Sequence, residues 1–196
     1  MFVINPCAAG CGRPAITGNF LCFLHQANPQ QEYVRICDYI KDHPTIKDLI
    51  VSGMHFSDMD FSQRHFYGCN FKETVFSNCD FSSVKIRMSF FDFAEFNNCN
   101  FTKSDIQFLS FAGASIKKCD FSDSEIVHAN FEGASISDTS FNNSNLYNSR
   151  YINAVMNKLT FVNCNLKHVH LAGTKQDDVL FRSSNTAEAL YETEEQ

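Results

Sequence analysis

Large apolar residues return at every fifth position along most of this chain. From Phe56 the count runs through Phe61, Phe66, Phe71, Phe76, Phe81, Ile86, Phe91, Phe96 and Phe101, and it continues without slippage to Leu166 and Leu171. Gln176 breaks the chemistry but not the phase, because Phe181 falls on the same count. Two positions before most of them sits a small residue, among them Cys69, Thr74, Cys79, Ser89, Ala94 and Cys99. A period of five suits neither a helix, at 3.6, nor an uninterrupted strand, at 2.0. It suits a short strand whose small and large residues point inward with one outward residue between them. The two residues that follow are mostly Ser, Asn, Asp, Gly or Lys and turn the chain. A longer period overlies the first. Positions 61, 81, 101, 121, 141, 161 and 181 are all Phe, and positions 66 to 166 run Phe, Ile, Ile, Ile, Leu, Leu in steps of twenty. Four five-residue sides therefore close one coil, and like side chains stack on like in successive coils.

Segments such as Cys79-Asp80-Phe81-Ser82-Ser83, Cys99-Asn100-Phe101-Thr102-Lys103 and Ala129-Asn130-Phe131-Glu132-Gly133 resemble the pentapeptide-repeat family, whose pattern is A(D/N)LXX or a Phe-centred equivalent. The resemblance implies that family's fold, an all-β solenoid wound as a right-handed quadrilateral β-helix. At twenty residues per coil, residues 51–182 are expected to form a rod roughly 30 Å long. The expected organisation is a zinc-knuckle-like segment at 1–28, a helical cap and linker at 29–50, the pentapeptide-repeat solenoid at 51–182, and an acidic tail with a short helix at 183–196.

Ahead of the repeats, Cys7, Cys11, Cys22 and His25 are spaced C-x3-C-x10-C-x2-H. Three thiolates and one imidazole suit tetrahedral Zn²⁺, and four protein ligands make a closed, structural site. Gly10, Gly12 and Pro14 supply turns between the ligands. The alternative is three packed or free thiols, but the segment has too few apolar residues to bury them. It also resembles small zinc knuckles of phage and bacterial proteins, which usually carry one more residue between the first two cysteines. Asn28-Pro29 then reads as a helix start. Tyr33, Ile36, Cys37 and Ile40 form one apolar stripe, and His43-Pro44 ends the helix. Leu49 and Val51 are expected as the first inward pair, with the helix covering the Phe56 layer at that end.

Composition narrows the chemistry. Of the net charge of −6, the last fourteen residues contribute four Glu and no base, so the repeat region is close to neutral. Trp is absent, and the 21 Phe lie largely on the five-step count, so aromatic residues are expected in the core and not on a binding surface. The Cys79, Cys99 and Cys119 column is expected to be packing rather than disulfides. The column Asp60, Asp80, Asn100 and Asp120 is expected to make local hydrogen bonds rather than hold a cation. His128, His168 and His170 are not expected to form a metal site. Nine cysteines without a paired framework point to a reducing, cytoplasmic setting. No membrane-spanning run, secretory signal or enzyme motif is visible, although delivery as an effector would leave no sequence mark. The expected function is a non-enzymatic protein–protein interaction scaffold with a structural zinc site, acting as monomer or homodimer on an unidentified protein partner. The resemblance also offers a DNA-mimic-like protein that binds and protects topoisomerases, but a mimic needs a strongly negative rod. Direct nucleic-acid binding is not expected, since Arg13 is the one base in the knuckle.

Overall fold

The computed structural model describes residues 4–192, and the five-residue count emerges as parallel strands stacked one coil above another. One sheet holds β1 (Thr45–Lys47), β3 (His65–Tyr67), β5 (Lys85–Arg87), β7 (Asp105–Gln107) and β9 (Glu125–Val127). The other holds β2 (His55–Ser57), β4 (Val75–Ser77), β6 (Glu95–Asn97), β8 (Ser115–Lys117), β10 (Ser135–Ser140), β11 (Val155–Thr160) and β12 (Lys175–Leu180). The register is the twenty-residue period itself, with Phe56 opposite Phe76 and Ile86 opposite Ile106. The two remaining sides pair through single bridges. One runs Ile50, Asn70, Phe90, Ser110, Asn130, Arg150, His170 and Leu190, and the other starts Asp60, Asp80, Asn100, Asp120. We call the first of these the Asn70 side.

Inside, the large residues of the count are buried and stack in columns. The Phe61, Phe81, Phe101 and Phe121 rings lie 4.4–4.5 Å apart, close to the spacing of paired strands. The cysteines of the inner columns stay unbridged, and Cys79, Cys99 and Cys119 direct their thiols to backbone carbonyls of Phe56, Phe76 and Phe96. Tyr151 takes a phenylalanine's place and stacks on Phe131 at 4.6 Å, yet its hydroxyl is fully buried with no hydrogen-bond partner among the described residues. An unsatisfied buried hydroxyl costs stability. Tyr151→Phe is therefore expected to raise stability by about 1 kcal/mol, read as a higher urea midpoint at unchanged slope; a lower midpoint would show that the hydroxyl has a partner.

The corners share one backbone solution. The residue two places after an inward large residue is in the left-handed region, from Asp48 (φ 54°) and Asp58 (φ 54°) through Ser183 (φ 58°), with glycine in the same slot at Gly53, Gly68, Gly113, Gly133 and Gly173. Asn, Asp and Gly tolerate this conformation. Side-chain amides then tie coil to coil. Asn165 Nδ2 donates to Asn145 Oδ1 at 2.8 Å, Asn145 Nδ2 to Glu125 Oε2 at 2.8 Å, and Asn98 Nδ2 to Asn78 Oδ1 at 2.9 Å. Each amide reaches back to an acceptor one coil earlier.

Helix α1 (Pro29–Asp42) begins and ends where its signals place it. Asn28 Oδ1 accepts the Gln31 N–H at 3.1 Å, and His43 ahead of Pro44 is extended. Ile36, Cys37 and Ile40 join the core, and the Tyr33 ring lies 5.7 Å from Phe56, so the helix closes the first coil. Both ends of the coil extend past the expected bounds of 51 and 182. Strand β1 pairs with β3 and buries Ile46, five residues before Val51, so the first inward residues precede Leu49. At the other end the expected helix is a single 3-10 turn, Thr186–Glu188. Leu190 pairs with His170, making this stretch the last side of the coil, and Tyr191 is half exposed. Residues 193–196 of the expected tail lie outside the described residues.

Candidate metal centre and its docking on the coil

Between Asn5 and Gln26 the chain folds back on itself with little apolar packing, held by backbone hydrogen bonds. The Cys7 N–H donates to Arg13 O and the Ala8 N–H to Phe20 O, both at 2.9 Å. Pro6 bridges Pro14 antiparallel. Gly10 and Gly12 take φ of 73° and 78°, a conformation that lets the chain reverse on either side of Cys11. A 3-10 turn at Phe23–His25 follows Cys22, so Cys22 and His25 project from one turn.

These four side chains meet. Cys7 Sγ lies 3.4 Å from His25 Nδ1, Cys22 Sγ 3.5 Å from the same nitrogen, and Cys11 Sγ 3.7 Å from Cys22 Sγ. All four potential ligand atoms lie within 4.8 Å of one another. A zinc tetrahedron with Zn–S about 2.3 Å and Zn–N about 2.0 Å sets ligand atoms roughly 3.5–3.8 Å apart, so the observed separations fit one ion. Cys7 and Cys22 are buried, whereas Cys11 and His25 are exposed. The Cys22 backbone N–H, donating to the Cys7 sulfur at 3.3 Å, pulls the Cys7 thiol down to about 6, and His25 adds to the effect. Burial, then the neighbouring Cys11 and Cys7 sulfurs, push the Cys22 thiol up. Crowding three sulfurs with no cation between them is electrostatically unfavourable, and a divalent ion reverses that sign. The one-residue-shorter first loop still brings Cys7 into the group.

The knuckle docks on the coil through Thr17, which the sequence did not single out. Coil pairing engages Leu49 O and the Val51 N–H with Asn70, leaving the Ile50 backbone facing the open end. There Thr17 Oγ1 accepts the Ile50 N–H at 2.7 Å, while the Thr17 N–H donates to Ile50 O at 3.0 Å. Arg35 of α1 donates to Thr17 O at 2.6 Å and pairs with Glu32 at 2.8 Å, so helix and knuckle brace each other. Arg13 lies 3.6 Å from Glu73 on the coil. The segment between Gln26 and Pro29 thus joins two parts of one cap.

A second candidate surface lies along the coil and corrects the expectation that aromatic residues here are core alone. Met88, Phe93 and Phe108 are 57%, 66% and 56% exposed. All three occupy left-handed corner positions bordering the Asn70 side, at φ of 49°, 57° and 55°. That conformation disfavours bulky side chains by about 1–2 kcal/mol. The rings are held in place: Phe93 lies over Gly113, where an added Cβ would come 2.5 Å from the ring, and Phe108 stacks on His128 at 4.9 Å. Their signal in the sequence was position, since Phe90, Phe93 and Phe108 are the repeat-region phenylalanines off the five-step count. The remaining candidates behave as packing. Asp60, Asp80 and Asp120 each accept a backbone N–H two residues on, at 2.8–2.9 Å. The Ser62 hydroxyl and N–H hold Asp60 below the usual carboxylate range. His128 Nδ1 is 2.7 Å from Asn148, and among the described residues the histidines at 128, 168 and 170 join no ligand cluster.

A family model described as Pentapeptide repeats (8 copies) matches residues 55–89, 91–124 and 114–150. No curated protein matches the chain. Among solved structures, HetL, a pentapeptide repeat protein involved in heterocyst differentiation regulation from the cyanobacterium Nostoc sp. strain PCC 7120, aligns at 10% identity and a TM-score of 0.39, covering 82% of this chain and 96% of that one. Full-length QnrB1, a plasmid-mediated fluoroquinolone resistance protein, aligns at 18% identity and a TM-score of 0.35, covering 75% and 81%. Rfr23, a pentapeptide repeat protein from the cyanobacterium Cyanothece 51142, aligns at 11% identity and a TM-score of 0.27, covering 81% and 99%.

Proposed function

From the premise that the chain belongs to the pentapeptide-repeat family, we propose that it is a non-enzymatic protein-interaction scaffold with a structural zinc-bound cap. Cys7, Cys11, Cys22 and His25 hold the zinc, which folds the cap and seats Thr17 on the first coil. The observation that carries the scaffold reading is the set of exposed Met88, Phe93 and Phe108 in left-handed corner conformations along the coil. Bulky apolar residues at corners that Asn, Asp or Gly would occupy with less strain, left more than half exposed, point to a surface kept for contact. The described coil turns every corner within two residues and so builds no loop pocket, which supports a binding role over catalysis. Nine unbridged cysteines suit a reducing, cytoplasmic setting, and no helix among the described residues is long and apolar enough to cross a membrane.

A topoisomerase-protecting DNA mimic is less well supported, because a mimic presents continuous negative charge. Here the acidic column on the Asp60 side is interrupted by Asn100 and gives way to Ser140, while Lys72 pairs with Asp92 and Arg150 with Glu132 on the Asn70 side. The scaffold is tested by cross-linked capture from lysate of the source cells, comparing the natural chain with Phe93→Asn/Phe108→Asn. Asparagine suits the left-handed corner, so the fold is kept. A partner captured by the natural chain and lost from the variant is expected; identical captures would sink the reading.

A further inference from the structure

The knuckle holds the one cysteine of this chain that solvent reaches freely. Cys11 is exposed, whereas the other eight are buried, its neighbours Cys7 and Cys22 among them. Access sets which thiolate an oxidant meets first, so oxidation is directed to Cys11. A second thiol stands ready to resolve it. Cys22 Sγ lies 3.7 Å from Cys11 Sγ, and a bonded pair stands about 2.05 Å apart, so the gap to close is short. Cys7 Sγ is engaged elsewhere: it accepts the Cys22 N–H at 3.3 Å and faces His25 Nδ1 at 3.4 Å.

The backbone on both sides of Cys11 is free to follow its sulfur. Gly10 and Gly12 flank it in the left-handed region, and a Cβ added at either would meet nothing within 4 Å. The same two sulfurs also bracket the docking element. Thr17, which exchanges hydrogen bonds with the Ile50 backbone, lies in the loop from Cys11 to Cys22. Four shared ligands tie that loop to Cys7 ahead of it and to His25 in the turn after it. A disulfide ties Cys11 to Cys22 alone. Cys7 and His25 then remain as two ligands, too few for a closed tetrahedral site.

We propose that Cys11 is an oxidative modification site for hydroperoxides, resolved by Cys22, and that their disulfide releases the zinc and loosens the cap from the coil. This rests on the zinc-bound cap put forward above. The Cys11 thiolate attacks one peroxide oxygen: the S–O bond forms, the O–O bond breaks, and hydroxide leaves. The Cys22 thiolate then attacks the Cys11 sulfur. The S–S bond forms, the S–O bond breaks, and a second hydroxide leaves. Each thiolate gives up one electron, the peroxide takes both, and the two hydroxides become water with protons from solvent. The reaction uncovers the Ile50 backbone at the end of the coil that the knuckle covers.

The test treats the full chain, purified with zinc, with hydrogen peroxide and follows release with a colorimetric zinc indicator. One zinc per chain is expected to appear as the thiol titre of the unfolded chain falls by two from nine. Digestion without reductant is expected to yield Cys11 and Cys22 in one linked pair of peptides. Amide exchange is expected to rise at Thr17 and Ile50 and to stay slow in β5 to β10. Dithiothreitol with added zinc is expected to reverse all of these changes. Cys11→His keeps four ligands that zinc accepts but removes the exposed thiol, and zinc release from it is expected to be about tenfold slower or more. Release without the Cys11–Cys22 disulfide, or equally fast release from zinc-loaded Cys11→His, would overturn the proposal. A natural chain that carries zinc and keeps it under peroxide sinks the modification site and leaves the zinc cap standing. A natural chain that carries no metal when purified sinks both.

Discussion

A Cys22→Ser chain is expected to lose its metal and, with it, the ordered structure of residues 5–26, while the coil beyond remains folded. Cys22 lies at the centre of the ligand group: its sulfur is 3.7 Å from Cys11 and 3.5 Å from His25, and its N–H supports Cys7. Zinc binding to small knuckles is worth about 10–16 kcal/mol and is inseparable from their folding. The knuckle has few buried apolar residues, chiefly Ala15 and Ile16, to hold it otherwise. Elemental analysis should fall from one zinc per chain to near zero. Amide exchange should rise at Thr17 and Ile50 and stay slow in β5 to β10. Full metal content in the variant, or unchanged protection at Thr17, would show that the four residues form no metal centre.

Phe101→Ala is expected to destabilise the coil by about 3–5 kcal/mol. The ring is fully buried between Phe81 at 4.5 Å and Phe121 at 4.4 Å, and edge contacts from Phe96 close its flank. No loop or terminus lies nearby to collapse into the space. Because each coil touches only its neighbours, the loss falls on the junction between the third coil and those beside it. Urea unfolding should show a lower midpoint, and a shallower slope if the halves begin to unfold separately. A cost under about 1 kcal/mol would mean that the stack does not hold the coils together.

Much of this was legible in the sequence, and the reason is physical. A coil closed by stacking must repeat its inward residues at fixed intervals, so Phe61 to Phe181 announced both the period and the register. Asn28, Pro29 and the Tyr33–Ile40 stripe marked the helix because capping and amphipathicity are local. The four ligand candidates were legible because their residue types are few and closely spaced. What escaped was set by non-local geometry. Nothing about Thr17 as a residue says that it will meet the Ile50 backbone, since that contact depends on how the whole knuckle sits. Phe93 and Phe108 were grouped with the core phenylalanines although they fall off the count, and the left-handed corner is what turns them outward. Ile46 lies on the count but stands alone between polar neighbours, so the coil began earlier than its pattern suggested.

The strict alignment of Phe56 on Phe76 and Ile86 on Ile106 also constrains how such a gene can change. One residue inserted at a corner would rotate every later side by a fraction of a turn and bring polar positions inward along the remaining columns. A duplication or deletion of twenty residues returns every column to its own kind. The rod therefore lengthens by inheritance in whole coils, about 4.8 Å at a time, and the distance between its capped end and any surface farther along is a quantity that selection can only count.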